Sequence, residues 1–194
     1  LDFIPVPIPT QRLILRVFTD NDFQPLRELE TDPAVLRYRS RKHISPEMTL
    51  EFLDRAQCAS QALPRLFYAY AVIQRATGSW LGQCGLTVLA TELTEAFLWY
   101  SLLPRYWGHG YMAEAVNALL IAGATKFKLH RIFAECHPDN WASIRVMEKA
   151  GLKPEGQVQL LGAAGQAEER IRYGLAGIDL KSLAGSDVQI ELPW

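Results

Sequence analysis

The sequence predicts one domain of mixed α/β class, with strand-like apolar runs alternating with segments of helical periodicity. Three observations support this. A glycine-rich turn, Gly108-His109-Gly110, separates an apolar run at 96–103 from a stretch where Met112, Ala115, Val116, Leu119, Leu120 and Phe127 recur at helical spacing. Two further apolar runs, 67–73 and 81–89, flank Thr77-Gly78-Ser79, as an antiparallel pair joined by a turn requires. The chain has 194 residues, 49% of them hydrophobic and 21% charged, which suits one well-buried globular domain. That domain is expected over residues 1–178, followed by a weakly structured tail over 179–194.

In chain order, residues 12–17 read as the first strand. Asp20 or Asn21 then caps a helix carrying Phe23, Leu26 and Leu29. Pro33 opens a short helical piece, and the basic stretch Arg37 to Lys42 leads to Ser45-Pro46-Glu47, a helix start for residues 46–62. After the strand pair comes the run at 96–103, apolar on both faces except Ser101, which Pro104 stops because proline cannot continue a central ladder. A helix over about 109–128 and a strand at 131–136 follow. Asp139 or Asn140 caps a last helix that Gly151 ends, and strands near 153–161 and 168–177 flank the Gly162–Gly165 loop.

Charge and composition exclude several function classes. Net charge is −1 with the signs interspersed, so no basic stripe proposes direct contact with nucleic acid. Residues 1–9 hold prolines at 5, 7 and 9 and no uninterrupted apolar core. No apolar run is long enough to span a bilayer, so a cytoplasmic protein without membrane contact is expected. Cys58, Cys84 and Cys136 form no C-x-x-C pair, and their odd number argues against a disulfide framework. His43, His109, His130 and His137 lack metal-ligand spacing, so no metal is expected.

The glycine turn carries the chemistry. Glycines at the start of a helix let several backbone N–H groups converge, and the helix dipole there favours negative charge, so a phosphate or pyrophosphate is the expected ligand. Two fingerprints fit. Gly108-x-Gly110-x-x-Ala113 satisfies a dinucleotide pattern, with Glu135 placed as the acidic ribose ligand about 20 residues on. Against it, Arg105, Tyr106 and Trp107 intervene between strand and glycine, and no second βαβ half follows. The other fit is Arg105-x-x-Gly108-x-Gly110.

Arg105-x-x-Gly108-x-Gly110 resembles the acyl-CoA pyrophosphate loop of the GNAT superfamily of N-acetyltransferases. Two more segments point to its RimJ/RimL branch of ribosomal-protein N-terminal acetyltransferases. Thr10-Gln-Arg12-Leu-Ile-Leu-Arg16 resembles the branch's first strand, and Pro138-Asp-Asn140-Trp-Ala-Ser143 through Glu148-Lys149-Ala-Gly151-Leu resembles its last helix. The resemblance spans residues 10–156. It implies a GNAT-like α/β fold of the α+β type: a central, mostly antiparallel sheet of about seven strands, splayed between strands four and five, with helices on both faces.

The activity so implied is acetyl transfer from acetyl-CoA to a primary amine in one ternary complex, by a monomer or homodimer. The acceptor would be a ribosomal protein N-terminus or a small-molecule amine. The backbone amides of Trp107, Gly108, His109, Gly110, Tyr111 and Met112 would grip the pyrophosphate, with Arg105 anchoring the loop or the phosphate. Leu102 and Leu103 would pair with the pantetheine arm, and Asn140 would bond to that arm, cap its helix, or both. The tyrosine that many relatives place near the end of the last helix is matched here by Met147, which leaves Ser143 as the proton donor to the thiolate. The branch's glutamate, seven residues before the strand-ending proline, is matched by Phe97. Glu95, Glu92 and His137 remain as possible bases, beside a water chain to bulk solvent. Glu114 and Glu148 read as structural, because a carboxylate beside a pyrophosphate repels it. Trp107 and Trp141 fall in loops near the expected cofactor. Arg37, Arg39, Arg41 and Lys42 suit a carboxylate-bearing acceptor better than a polyamine. A non-catalytic acyl-CoA sensor is the competing reading.

Overall fold

The computed structural model describes residues 7–89, 94–126, 129–162 and 165–177, together with 179 and 182. Its elements in chain order are β1 (Ile8–Pro9), β2 (Leu13–Arg16), α1 (Phe23–Thr31), α2 (Pro33–Leu36), α3 (Pro46–Gln61), β3 (Phe67–Gln74), β4 (Trp80–Val88), β5 (Glu95–Leu102), α4 (Tyr111–Lys126), β6 (Arg131–Cys136), α5 (Trp141–Lys149), β7 (Lys153–Leu161) and β8 (Ala167–Ala176). One 8-stranded sheet has the order β1-β2-β3-β4-β5-β6-β8-β7. The sequence had suggested about seven strands. The additional one, β1, is a short edge strand paired with β2, where Pro9 needs no ladder N–H on its outer side. Most of the expected tail at 179–194, and Glu92, lie outside the described residues.

Strand alternation divides the core in two. On β3, Tyr68, Tyr70 and Val72 face a cluster that includes Met112, Ala115, Val116 and Leu119 of α4 and Ile144 and Met147 of α5. Ala69, Ala71 and Ile73 face the other side, with Leu26, Leu29, Val35 and Leu53 of α1–α3. Helices therefore cover both faces. Local signals set their limits: Asp32 caps α2 by accepting from the Ala34 N–H (2.8 Å), and Pro46 occupies the first turn of α3 after Ser45.

Every strand pair is antiparallel except β5–β6. That parallel pairing registers Glu95 with Arg131, Ala96 with Ile132 and Phe97 with Phe133, and then stops. Beyond it β5 stays paired to β4 through Leu102, and β6 to β8 through Cys136. Each strand keeps one ladder and turns its other edge into the opening. The splay expected between strands four and five is this gap, and its two free edges are a template for an extended ligand.

The start of α4 is tied to β2. Glu114 accepts from Thr10 Oγ1 (2.6 Å), the Arg12 N–H (2.7 Å) and Arg12 Nε (2.7 Å), while Arg12 Nη1 donates to the His109 carbonyl (3.0 Å). Partial burial pushes the Glu114 carboxyl up, but the bonds from Thr10 and Arg12 outweigh it and hold the group below its ordinary value. A depressed folded-state pKa means stability that is present above the unfolded value and lost as pH falls through the folded one. Glu114→Gln is therefore expected to cost about 1.5 kcal/mol at neutral pH. In urea titrations at several pH values the deficit should shrink below about pH 4. A deficit that does not change with pH would remove the charge from this account.

Candidate active site

A cleft of about 580 Å³ occupies the splay. Its walls are the C-terminal half of β5 (Tyr100, Ser101, Leu102), the glycine turn, the first turn of α4, the start of α5 and the α2 region. Gly108 and Gly110 have φ of +80° and +77°, the left-handed region in which glycine carries no Cβ penalty. The turn they build leaves the N–H groups of residues 108–113 without a protein acceptor among the described residues, at the positive end of a long helix. Arg145 and Lys149, one turn apart on α5, also line the cleft, and among the described residues neither has a carboxylate within 4.0 Å. Convergent donors and free cations make this mouth suited to a polyanion.

Among the residues singled out from sequence, the cleft brings together Leu102, Trp107, Gly108, Gly110, Tyr111, Met112, Asn140 and Ser143. Trp107 is 41% exposed and donates Nε1 to the Leu102 carbonyl (2.7 Å), and Trp141, 68% exposed, lines the same wall. Asn140 Oδ1 accepts from the Ser143 N–H (3.2 Å), so it caps α5, and its side-chain amide nitrogen has no protein partner among the described residues.

Several expectations need correction. The Trp107 N–H closes a short 3-10 turn onto the Pro104 carbonyl (3.0 Å), so it is not one of the free donors. Leu103 is fully buried in the α1–α3 core, with its N–H on the Leu81 carbonyl (2.9 Å), and pairs with nothing in the cleft. Of the two roles expected of Arg105, its ion pair with Glu28 of α1 fits the anchoring of the loop, and it is not among the residues that line the cleft. His109 puts Nδ1 against the Trp107 carbonyl (2.8 Å) and stacks on Tyr111, which orders the turn from outside. Glu95 sits at the closed end of the splay, ion-paired with Arg131 (3.4 Å), with several residues of strand between it and the cleft.

The other proposed acid–base groups are also engaged. His137 Nδ1 accepts the Asp139 N–H (3.1 Å), which assigns its ring proton to Nε2 and leaves no free lone pair. Glu135 is held by Arg172 Nε (2.8 Å), so the acidic residue at the ribose-ligand spacing is already paired and the dinucleotide reading loses it.

Sequence reading missed Tyr100. Its hydroxyl oxygen lies 2.8 Å from Ser143 Oγ, a bond that either hydroxyl can donate, and 3.1 Å from the Ser143 carbonyl, an alternative acceptor for the same tyrosine proton. Alternation puts residue 100 on the same face as the core residues Leu98 and Leu102, so it reads as packing. Only the end of the β5–β6 ladder brings its hydroxyl to an opening. Burial drives its pKa well above the ordinary value, with the Ser143 bond offsetting part of that, so the group stays protonated. Cys136 completes the cluster: burial raises its pKa, and a hydrogen bond with Ser143 acts in the opposite direction.

Known proteins resemble this chain in sequence and fold. Residues 12–153 match the family model described as acetyltransferase (GNAT) domain. A Bacillus subtilis (strain 168) protein described as the uncharacterized N-acetyltransferase YnaD is 31% identical over 149 residues, covering 77% of this chain and 84% of that one. The crystal structure of a GNAT-family acetyltransferase from Bacillus anthracis superposes with a TM-score of 0.76 at 26% identity, over 88% of this chain and 98% of that one. Mycobacterium smegmatis RimJ, in complex with CoA-disulfide, shares the fold at a TM-score of 0.75 and 18% identity, over 91% and 88% of the two chains. With a splayed sheet and a glycine turn at the mouth of its cleft, the chain belongs to the GNAT family and is an acetyltransferase.

Proposed function

We propose that the protein moves an acetyl group from acetyl-CoA to a primary amine by direct transfer in a ternary complex, in the manner of the RimJ/RimL branch. The observation that carries this is the coincidence, in one cleft, of the unpaired N–H groups at 108–113, two free strand edges and the Ser143–Tyr100 hydroxyl pair. The amides from Gly108 to Met112 hold the pyrophosphate, and Arg145 and Lys149 neutralise the remaining phosphate charge. The backbone of β5 between residues 98 and 102 receives the pantetheine arm, with the Asn140 side-chain amide donating to it.

With Tyr100 donating its one hydroxyl proton to Ser143 Oγ, the Ser143 hydroxyl proton is free to point into the cleft. There it bonds to the thioester sulfur as negative charge develops on it. In the balanced step the amine nitrogen bonds to the carbonyl carbon, the C–S bond breaks, and the proton that the nitrogen loses is matched by the one the thiolate gains. Asp139 is the one carboxylate among the described cleft-lining residues and its side chain is 76% exposed, so the amine's proton leaves through the open side to water or to that carboxylate. The acceptor is a protein N-terminus or a small-molecule amine. The domain spans residues 1–178, works in the cytoplasm as monomer or homodimer, and uses no metal.

The test is release of free thiol from acetyl-CoA in a panel of amines, with the acetylated product identified by mass. Turnover of any amine supports the transfer reading. Saturable acetyl-CoA binding without turnover would assign a sensor role instead.

A further inference from the structure

A second cavity, of about 930 Å³, adjoins the cleft and shares Arg37 and Tyr38 with it. One wall is the segment 37–43 that follows α2, and the other is the start of β8. We propose that this cavity seats the acceptor and selects an amine that carries a carboxylate close by. This deepens the transfer reading above and rests on it.

The argument is a charge balance. Arg37, Arg39, Arg41, Lys42 and Arg170 line the cavity, against Glu168 and Glu169. Some of that charge is already used. Arg170 pairs with Glu168 and donates to the Tyr38 carbonyl (2.9 Å) and to Ser40 Oγ (2.7 Å), which ties β8 to the segment. Lys42 Nζ donates to the Leu36 and Arg37 carbonyls (both 2.8 Å) and so serves the C-terminal end of α2, not a ligand.

What remains is three arginines, Arg37, Arg39 and Arg41, against one carboxylate, Glu169. Among the described residues, Arg37, Arg39 and Arg41 have no carboxylate within 4.0 Å. Arg37 rests over the Tyr38 ring (5.2 Å), and Arg41 Nη1 reaches only the Met48 sulfur (3.5 Å). Arg39 is the most informative: burial lowers its pKa and the Glu30 carboxylate, which also faces Arg27 (4.0 Å), offsets only part of that. A partly buried guanidinium without a paired anion costs stability unless a ligand supplies the charge. Guanidinium groups offer planar paired donors that match a carboxylate. A polyamine would instead add like charge to this cluster.

The chemistry fits two sources, a free dicarboxylic amino acid or the acidic N-terminus of a peptide, and the assay has an arm for each. With acetyl-CoA saturating and ionic strength fixed, thiol release is compared for glutamate and aspartate against glutamine and asparagine. Peptides whose second and third residues are acidic are compared with their amide and lysine counterparts, and spermidine is included. In at least one arm the carboxylated member should exceed its amide by tenfold or more in kcat/KM, and the margin should narrow as salt rises. Arg41→Glu, at an exposed position, should erase or invert that margin, and Arg39→Gln should reduce it. CoA affinity, measured separately, serves as the check on folding. Equal rates for acid and amide, or a preference for spermidine, would overturn the inference and leave the acetyltransferase reading intact. Thiol release from no amine at all would overturn both.

Discussion

Ser143→Ala is expected to lower kcat by roughly 10²-fold while leaving acetyl-CoA affinity nearly unchanged. The asymmetry follows from when the interaction is made. The thioester sulfur is a poor hydrogen-bond acceptor in the ground state and a strong one as the C–S bond breaks, so a hydroxyl aimed at it stabilises mainly the transition state. Tyr100 makes the prediction more specific than Ser143 alone. Donating its one proton to Ser143 Oγ (2.8 Å) and not to the Ser143 carbonyl (3.1 Å), it fixes which way the serine proton points. Tyr100→Phe should therefore cost about tenfold in kcat, less than the serine variant, again without a change in affinity. Ser143→Thr, which keeps the hydroxyl, should recover most of the loss. A double variant no slower than Ser143→Ala would show that the two hydroxyls act as one unit. A loss confined to acetyl-CoA binding would reassign Ser143 to holding the cofactor.

The parts of this protein that sequence reveals are those governed by local rules. The glycine turn, the helix starts at Ser45 and at Asp139 or Asn140, and the antiparallel strand pair about Thr77-Gly78-Ser79 each follow from a few neighbouring residues, and the structure has all of them, with Asn140 as the cap. Contacts made across the sheet were not legible. Arg105 matched a local pattern, yet its partner is Glu28, far away in the chain, and no rule of spacing predicts that pair. Leu103 follows the strand-like run directly, but its N–H is taken by Leu81 at the next strand over, so its availability to a ligand depended on a register unknown beforehand. Tyr100 shows the converse: an ordinary core position by periodicity becomes the partner of Ser143 because α5 crosses the point where the β5–β6 ladder ends. Glu95 failed for the same reason. Its strand was identified correctly, but which end of that strand opens is a property of the sheet.

Gly110→Val is expected to weaken acetyl-CoA binding at least tenfold, about 1.4 kcal/mol, with kcat at saturation little changed. Steric filling is not the cause: a Cβ at Gly110 meets only Arg12 Nη2, at 3.6 Å, an ordinary van der Waals contact. The cause is conformational. With φ at +77°, a β-branched residue is strained, and the turn relieves that strain by rotating toward negative φ. That rotation swings the N–H groups of residues 110–112 away from their common focus, and the focus is what a pyrophosphate binds. Gly78→Val separates this effect from simple strain. Gly78 has φ of +71° in the β3–β4 turn and also has nothing near its missing Cβ, so it should lose comparable stability in a urea titration and no acetyl-CoA affinity. Equilibrium dialysis or calorimetry on the two variants gives the comparison directly. NADH added to the wild type should not displace CoA, because Glu135, the acidic residue at the ribose-ligand spacing, is committed to Arg172. Equal affinity losses in the two variants would show that the turn at 108–112 has no special part in holding the phosphate. Competition by NADH at micromolar concentration would return the glycine turn to the dinucleotide class.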